Sequence, residues 1–463
     1  MLARMDLAGS ARPAAKRLAP GPRGHLILGS LPDARRDPIG LFMNARANYG
    51  DLVRFRFGPI TAHLVSSPAG ANHVLAENNK NYGKNTRGFD QLRLILGNGL
   101  LTSQGDFWKR QRRLAQPAFH RNRIAGFAAS MVRAAEQCSV RWAEEPGPID
   151  VHAEMMRLTL QIVGETLLGF DPTSAAVEVS QALNFLLHLA NDRMTRLFPL
   201  PIKLPTAEHR QLRASLAQLD KVVLRVIAER RAASGKASDE SSDLISMLMQ
   251  ARDVDTGEAM TDAQLRDEAM TIFLAGHETT ANALTWTFFL LSRHPSVERE
   301  VSAELQRELG GRSPTAADLP RLRYTKMVLE EAMRLYPPAW IISRSVIDDD
   351  EIDGCLIPAG SIIFASPYVL HRHPGVFENP EGFDPERFAP ERLQALPKGA
   401  YFPFGGGPRQ CIGNGFAIME GQLLLATLLQ KFRLDLVPGY LAQPVPSVTL
   451  RPKHGMPMNL HPR

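Results

Sequence analysis

The sequence feature that most restricts the fold is a run of helical periodicity over residues 261–293. Thr261 and Gln264 have the spacing of a capping box at its start, and His294 and Pro295 supply a stop at its end. About 32 residues with a rise of about 1.5 Å each give a helix of roughly 48 Å, long enough to cross a whole domain. Its second half, ALTWTFFLL, is apolar on nearly all sides. This pattern predicts a helix that runs buried through the core.

Helical periodicity covers most of residues 119–336, whereas β signals are concentrated in two places. The stretch DLVRFRFGPITAHLV alternates apolar residues with arginines before a turn at Gly58 and Pro59, which predicts a hairpin. Short β-like pieces separated by Asp-Gly and Ala-Gly pairs lie within residues 345–365. We therefore predict one large, mainly α domain with a small β portion over residues 20–463.

Composition restricts the partners of this domain. Of the 463 residues, 44% are hydrophobic and 22% are charged, and the formal net charge is +6. The charges are scattered along the chain rather than concentrated on one element, so we predict no nucleic-acid partner. No uninterrupted apolar run approaches the roughly 18 residues of a membrane span, so we predict no membrane anchor.

The cysteines and the N-terminal residues indicate in which cellular compartment the protein is found. Cys138, Cys355 and Cys411 are too far apart for a CxxC-type zinc site, and three thiols cannot all pair. This usage fits a reducing compartment, and we expect a cytoplasmic protein. Residues 1–19 are rich in Arg and Ala and contain one acid, Asp6. They predict a basic, disordered tail, with an organelle-targeting peptide as the alternative.

The middle of the long helix carries residues that weaken it, the hexapeptide AGHETT at residues 275–280. Gly276 costs about 1 kcal/mol relative to alanine, and Glu278 puts a carboxylate where burial is expected. One interpretation is a packing glycine beside a solvated polar face. The other is a functional site at which Glu278 and Thr279 relay protons to a ligand held against the helix. The His-Glu pair does not begin an HExxH zinc site, because Ala281 stands where the second histidine is required.

Cys411 lies in a glycine-rich loop, FPFGGGPRQCIG, just before a predicted helix that starts at Asn414. It could be a buried structural thiol, a nucleophile or a metal ligand. A metal ligand explains most features of the loop, because a helix N-terminus favours a thiolate and glycines let the backbone approach a flat ligand. A single thiolate can serve as the protein ligand of a haem iron. Phe404 would then lie near the sulfur, and Arg409 could reach a haem propionate.

Taken together, these motifs resemble those of the cytochrome P450 family of haem-thiolate monooxygenases, over essentially the whole chain from about Pro20. The pattern F-x-x-G-x-R-x-C-x-G, which ends at Gly413, fills every fixed position of the family's ligand loop. EAMR supplies Glu331 and Arg334 as the family's ExxR pair, which by spacing alone would be a surface ion pair. The resemblance implies that this pair is buried with Arg387 of the PERF segment and braces the cysteine loop.

Three further matches carry the resemblance into the site. AGHETT resembles the family's oxygen-activation motif, with Glu278 and Thr279 as the acid–alcohol pair. Trp108 and Arg112, in FWKRQRR, match the pair whose side chains bind a haem propionate, and Arg344 stands where the family often has a third propionate partner. The resemblance implies the single-domain P450 fold, with haem b between the long central helix and the loop, and the loop cysteine as iron ligand.

The activity implied by the resemblance is insertion of one oxygen atom of O2 into a hydrophobic substrate, by hydroxylation or epoxidation. Apolar residues upstream of Trp108 and near Trp340 favour a fatty acid, terpenoid, steroid or polyketide, although they could equally be plain core. The alternative is a peroxide-driven peroxygenase or an isomerase on the same scaffold. Retention of Glu278 and Thr279 argues against it, since peroxide already carries the reduced oxygen.

Electrons for this reaction must come from another protein, because the sequence contains no flavin or iron–sulfur motif. We expect a ferredoxin or flavodoxin with its NAD(P)H reductase. Lys109, Arg110 and Arg113 flank Arg112 on the same predicted helix, and we expect them to attract this acidic partner. The alternative is that these three cations form only a solvated helix face.

Overall fold

The computed structural model describes residues 17–145, 147–169, 176–196, 200–233 and 243–463. The helices in this part of the chain are α1 (Leu31–Arg36), α2 (Pro38–Tyr49), α3 (Pro68–Asn72), α4 (Arg87–Leu96), α5 (Gly105–Ala115), α6 (Arg121–Ala125), α7 (Ala128–Glu144), α8 (Val151–Val163), α9 (Ala176–Thr195), α10 (Ala207–Ala233), α11 (Leu244–Gln250), α12 (Asp262–Arg293), α13 (Pro295–Leu309), α14 (Arg323–Leu335), α15 (Pro367–Leu370), α16 (Pro390–Ala395) and α17 (Asn414–Leu429). The strands are β1 (Arg17–Leu18), β2 (Leu52–Phe57), β3 (Ile60–Val65), β4 (Tyr82–Gly83), β5 (Ile149–Asp150), β6 (Ile342–Val346), β7 (Asp350–Ile352), β8 (Cys355–Ile357), β9 (Ile362–Ala365), β10 (Phe432–Leu436), β11 (Pro444–Pro446), β12 (Leu450–Pro452) and β13 (Pro457–Pro462). The predicted mainly α architecture with a small β portion is confirmed.

Helix α12 is the long central helix predicted from the sequence. The backbone N–H of Gln264 donates to Thr261 Oγ1, and Gln264 Oε1 accepts the N–H of Thr261 at 2.9 Å, so the capping box is present. The helix ends at Arg293, and His294 caps it. Most of its side chains are buried, against α8, α10, α14 and α17 among others. The predicted buried crossing of the core is therefore confirmed.

The largest sheet has five strands in the order β2-β3-β9-β6-β4. The predicted hairpin is its first pair, with Leu52 opposite Val65 and Phe57 opposite Ile60. Strand β3 runs parallel to β9, and β9 pairs antiparallel with β6. The remaining strands form three smaller sheets, β1-β8-β7, β10-β13-β5 and β11-β12. The large sheet places β6, which carries Arg344, beside the helical core.

The N-terminal boundary differs from the one predicted. Residues 1–16 of the predicted tail lie outside the described residues. Arg17 and Leu18 pair in parallel with Cys355 and Leu356, and Ala19 is buried in the cluster around the large sheet. The ordered chain therefore begins before residue 20, because pairing with β8 and burial of Ala19 hold these residues. Across the described ranges, no helix has the length and apolar character needed to cross a membrane.

A fully buried ion pair connects α14 to the cysteine loop. Arg334 Nε lies 2.6 Å from Glu331 Oε2, and Arg387 Nε lies 3.3 Å from Glu331 Oε1. Arg334 also donates to three backbone carbonyls, one of them that of His371. His371 Nε2 accepts the N–H of Phe402, at the start of the loop, at 3.0 Å. The expected burial of this triad is confirmed, since so many donors and acceptors compensate the two desolvated charges.

Candidate active site

The cysteine loop is a tight turn held against the segment that follows α3. Its Gly407 has φ +63°, and a Cβ there would lie 2.0 Å from the carbonyl oxygen of Leu75. The N–H of Cys411 donates to the carbonyl of Phe404 at 2.9 Å, which closes the loop. Gly413 is the N-cap of α17. Cys411 therefore stands just before a helix N-terminus, as predicted, and glycine is required where the turn meets Leu75.

The thiol of Cys411 faces an internal space. Cys138 and Cys355 are buried, whereas Cys411 is exposed although protein atoms surround it on most sides. Burial raises the pKa of the Cys411 thiol, while the N–H of Gly413 and the charge of Arg112 oppose that rise. A thiol that is accessible yet surrounded by protein atoms becomes a thiolate when a metal ion binds it, so the position of Cys411 fits a metal ligand better than a free structural thiol.

Four cationic side chains gather beside the loop. Arg409 Cζ lies 3.7 Å above the ring centroid of Trp108, and Arg409 Nη1 donates to Ser103 O at 2.8 Å. Arg112 Nη1 donates to the carbonyl of a loop residue at 2.9 Å. Arg344 is 7% exposed, and burial lowers its pKa to about 10. The structure thus brings together Trp108, Arg112, Arg344 and Arg409, which are far apart in sequence.

The fourth cation, Lys84, was missed in the sequence. It is 5% exposed, its Nζ donates to the carbonyl of Leu101 at 2.5 Å, and burial and the charges of Arg344 and Arg409 lower its pKa. A lone lysine in YGKNTRG, outside any motif matched above, gives no sign of burial. Only the tertiary contacts identify Lys84 as part of the group.

This group of cations has no counter-charge in the described part of the chain. Within it, none of Lys84, Arg112, Arg344 and Arg409 lies within ion-pair distance of a carboxylate. Buried positive charges are costly unless an anion compensates them. The arrangement fits a flat ligand with two carboxylates that lies against the thiol, which is the shape and charge of a haem.

In the middle of α12, two residues of the hexapeptide are not covered by other protein atoms. Ala275 is exposed and Thr279 is half-buried although their neighbours along the helix are largely buried. Thr279 Oγ1 donates to the carbonyl of Ala275 at 2.6 Å. A Cβ on Gly276 would lie 3.0 Å from Val163 Cγ2, so the glycine permits close packing of α8. The helix continues unbroken through this hexapeptide, so Gly276 produces no interruption.

Glu278 is buried rather than part of a solvated face. It is 6% exposed, and its Oε1 accepts a hydrogen bond from Thr449 Oγ1 at 2.7 Å. Burial raises the pKa of Glu278, while the Thr449 hydroxyl and the charge of Arg451 oppose that rise. Glu278 and Thr279 are adjacent in sequence, yet their side chains bond to different partners.

The basic side chains of α5 do not form a free positive surface. Arg113 pairs with Asp253 at 3.0 Å and with Asp255 at 2.7 Å, and Arg110 lies 4.0 Å from Asp253. Lys109 pairs with an acid of its own helix at 2.8 Å. The prediction that these three cations attract a partner is therefore not supported, because an acid of α5 pairs with Lys109 and acids of another segment pair with Arg110 and Arg113.

Two other cations lie free near the cysteine loop. Arg121 and Arg123 of α6 are exposed, and neither has an ion pair within the described ranges. The neighbouring Ile124 is buried and packs on Gly415, where an added Cβ would lie 3.6 Å from Ile124 Cδ1. Helix α6 thus packs on the start of α17, and its arginines project positive charge beside the loop.

A family model described as Cytochrome P450 matches residues 19–456. The chain belongs to the cytochrome P450 family. Its sequence is similar to cyclooctatin synthase from Streptomyces melanosporofaciens, at 40% identity over 92% of this chain and 91% of that protein. It is also similar to cyclooctat-9-en-7-ol 5-monooxygenase of the same organism, at 37% identity over 86% of this chain and 85% of that protein. Pentalenene oxygenase from Streptomyces avermitilis is 35% identical over 88% of this chain and 90% of that protein.

The fold comparison agrees with the sequence comparison. A crystal structure of the cytochrome P450DA heme domain superposes with a TM-score of 0.89 at 28% identity, over 97% of this chain and 98% of that one. This P450 is therefore a monooxygenase and an oxidoreductase with a haem cofactor, a hydrophobic substrate and O2. The predicted family, fold and enzyme class are confirmed.

Proposed function

We propose that this P450 inserts one oxygen atom of O2 into a terpenoid, by hydroxylation or epoxidation. Three of the similar proteins, at 35–40% identity, have names that refer to cyclooctatin, cyclooctat-9-en-7-ol and pentalenene. The observation that carries the site assignment is the uncompensated cation group beside the accessible Cys411 thiol.

Haem b is the proposed cofactor, with the Cys411 thiolate as iron ligand. Lys84, Arg112, Arg344 and Arg409 would hold the propionates, and Trp108 would orient Arg409 by stacking. Phe404 accepts the N–H of Cys411 through its carbonyl, which keeps the loop closed around the sulfur. When bound, haem supplies O2 binding and oxygen transfer, and a thiolate ligand favours O–O cleavage.

Glu278 and Thr279 are the proposed proton donors. Thr279 is half-buried and its hydroxyl donates its own hydrogen to the carbonyl of Ala275, so its oxygen can accept a hydrogen bond from a ligand held against the helix. Burial raises the pKa of Glu278, so this carboxyl keeps its proton to a higher pH than an exposed glutamate does, which suits a proton donor.

Electrons are proposed to come from a ferredoxin or flavodoxin with its NAD(P)H reductase, in the cytoplasm. Arg121 and Arg123 on α6 offer free positive charge near the cysteine loop, which suits an acidic electron donor. The alternative is a peroxide-driven reaction on the same scaffold. A peroxide-driven reaction does not need the buried Glu278 to deliver protons, so the monooxygenase is favoured.

The deciding measurement is the visible spectrum of the haem-supplied protein, reduced and under carbon monoxide. We expect the strongly red-shifted Soret band of a thiolate-ligated iron in wild type and in Cys355→Ala, and its loss in Cys411→Ala. Cyclooctat-9-en-7-ol and pentalenene should then give a spin-state shift, whereas a polar compound such as glycerol should not. A Soret band that is unchanged in Cys411→Ala would refute the site.

A further inference from the structure

Glu278 ends a chain of hydrogen bonds that the proposed function does not use. Thr449 Oγ1 donates to Glu278 Oε1 at 2.7 Å, and Asn282 Nδ2 donates to Thr449 Oγ1 at 3.1 Å. His152 Nε2 lies 3.1 Å from Asn282 Oδ1. Four polar side chains from three parts of the chain are thus joined in one line.

The chain has one direction when Glu278 is ionised. The Thr449 hydroxyl gives its only hydrogen to the carboxylate, so its oxygen must accept from the Asn282 amide nitrogen. Asn282 Oδ1 then faces His152, which has to donate from a protonated Nε2. Every donor in the line therefore points toward Glu278.

Thr449 is held in place by its surroundings. Glu278, Asn282 and Trp286 are spaced four residues apart and so share one face of α12. Trp286 Nε1 donates to the carbonyl of Leu450 at 3.1 Å, and the N–H of Leu450 donates to a second backbone carbonyl at 2.9 Å. The residues before β12 are thereby fixed to α12, and the Thr449 hydroxyl has little freedom to leave the line.

The line runs from the core toward the start of α8. Asn282 is fully buried and Thr449 is 7% exposed, whereas His152 is half-buried in the first turn of α8. Two other charged residues affect the pKa values of Glu278 and His152, the two ends of this line. Arg451 of β12 opposes the rise in the pKa of Glu278, and Asp150 partly offsets the lowering of the pKa of His152 by burial.

We propose that Thr449, Asn282 and His152 are positioning residues that hold Glu278 Oε1 as an acceptor, which leaves Oε2 as the atom that exchanges protons. Among the described residues, Thr449 provides the hydrogen-bond donor to this carboxyl, and it bonds Oε1. The inference rests on the proposed function, because it assumes that Glu278 delivers protons. It adds that the line keeps the carboxyl ionisable despite burial and in one orientation.

The test is an infrared pH titration of the Glu278 carboxyl in the haem-loaded protein, with the signal assigned by its absence from Glu278→Gln. Thr449→Val removes the donor and keeps the side-chain shape. We expect ionisation of Glu278 in this variant at a pH higher by about one to two units, since a lost hydrogen bond to a charged group is of that size. Thr449→Ser should restore the wild-type titration.

Two further variants keep the result interpretable. Thr427 is also a buried threonine, bonded to a carbonyl of its own helix at 2.8 Å, so Thr427→Val controls for the loss of a buried hydroxyl. His152→Leu tests the far end of the line and should move the titration in the same direction by a smaller amount. If Thr449→Val fails to fold, His152→Leu decides the question.

The inference is overturned if the Glu278 carboxyl titrates alike in wild type, Thr449→Val and His152→Leu. Turnover gives an independent check, because Thr449→Val should release more peroxide per NADPH, and Thr449→Val combined with Glu278→Gln should match Glu278→Gln alone. Failure of the proposed function would look different. The wild-type protein would then lack the thiolate Soret band or oxygenate no terpenoid, whatever the carboxyl titration shows.

Discussion

The guanidinium of Arg409 lies over the indole of Trp108, with its Cζ 3.7 Å from the ring centroid. Arg409 belongs to the cysteine loop and Trp108 to α5, so this contact joins the two elements that flank the proposed haem edge. The stack fixes the direction of a cation that has no carboxylate partner in the described residues. It leaves the remaining donors of Arg409 free for an anion.

Lys84→Met should weaken haem binding without unfolding the protein. The substitution removes one of the buried cations proposed to bind the haem propionates. Loss of one charge-assisted hydrogen bond corresponds to about a 10- to 100-fold rise in the haem dissociation constant. Haem transfer to apomyoglobin measures this quantity. Lys80→Met removes an exposed lysine from the same segment and should leave the constant unchanged. Equal haem affinity in both variants would contradict the role of Lys84.

Thr279→Ala should divert reducing equivalents to peroxide while the substrate spin-state shift is retained. The hydroxyl that it removes belongs to a half-buried side chain in the otherwise buried middle of α12, and proton delivery to a ligand held there would lose its last member. Thr285 makes the same bond to its own helix, 2.7 Å to a carbonyl four residues back, but is fully buried. Thr285→Ala is therefore the control. Unchanged product per NADPH in Thr279→Ala would exclude this role.

Because of Glu420, we expect the apoprotein to become less stable as the pH rises. Its side chain is fully buried in α17, and among the described residues neither carboxyl oxygen has a partner within hydrogen-bond geometry, although the nearby Thr280 hydroxyl opposes the effect of burial on the pKa. Burial raises the pKa of Glu420 from 4.5 to about 8. A group whose pKa is higher when folded favours folding while protonated. The free energy of unfolding should therefore decline between about pH 4.5 and pH 8, by about 1.4 kcal/mol per pKa unit of difference.

Denaturant titrations of the apoprotein across this range measure the decline. Glu420→Gln keeps the shape and cannot ionise, so its unfolding free energy should lose most of this pH dependence. Equal slopes for wild type and Glu420→Gln would show that Glu420 is ionised in the fold.

Charge reversal at Arg121 and Arg123 should slow electron transfer from an acidic ferredoxin by about tenfold at low salt, with the difference shrinking as salt rises. Stopped-flow reduction under carbon monoxide gives the rate. Lys221→Glu with Arg225→Glu, on the exposed side of α10, changes the net charge equally at another place. If that control slows the reaction as much, the effect is general and α6 is not the docking site.

Local pattern was sufficient for some elements of this protein, but not for β5 or for β10–β13, which lie outside the two predicted β regions. The capping box at Thr261, the stop at His294 and the Gly58 turn each act within a few residues, so the bounds of α12 and the β2–β3 hairpin could be read from the chain. The motif around Cys411 predicted a thiol just before a helix N-terminus. These features depend on neighbours in sequence, and sequence displays neighbours directly.

Only the tertiary structure shows which charged side chains are paired and which are buried. Arg113 looks free in the sequence but is neutralised by Asp253, some 140 residues away, whereas Lys84 looks like a surface lysine but is buried with Arg344. In the same way, Thr449 is an ordinary residue until the fold sets it against Glu278. Electrostatic energy depends on distance and on burial in space, so whether a charge is paired, free or buried is fixed only when remote segments meet.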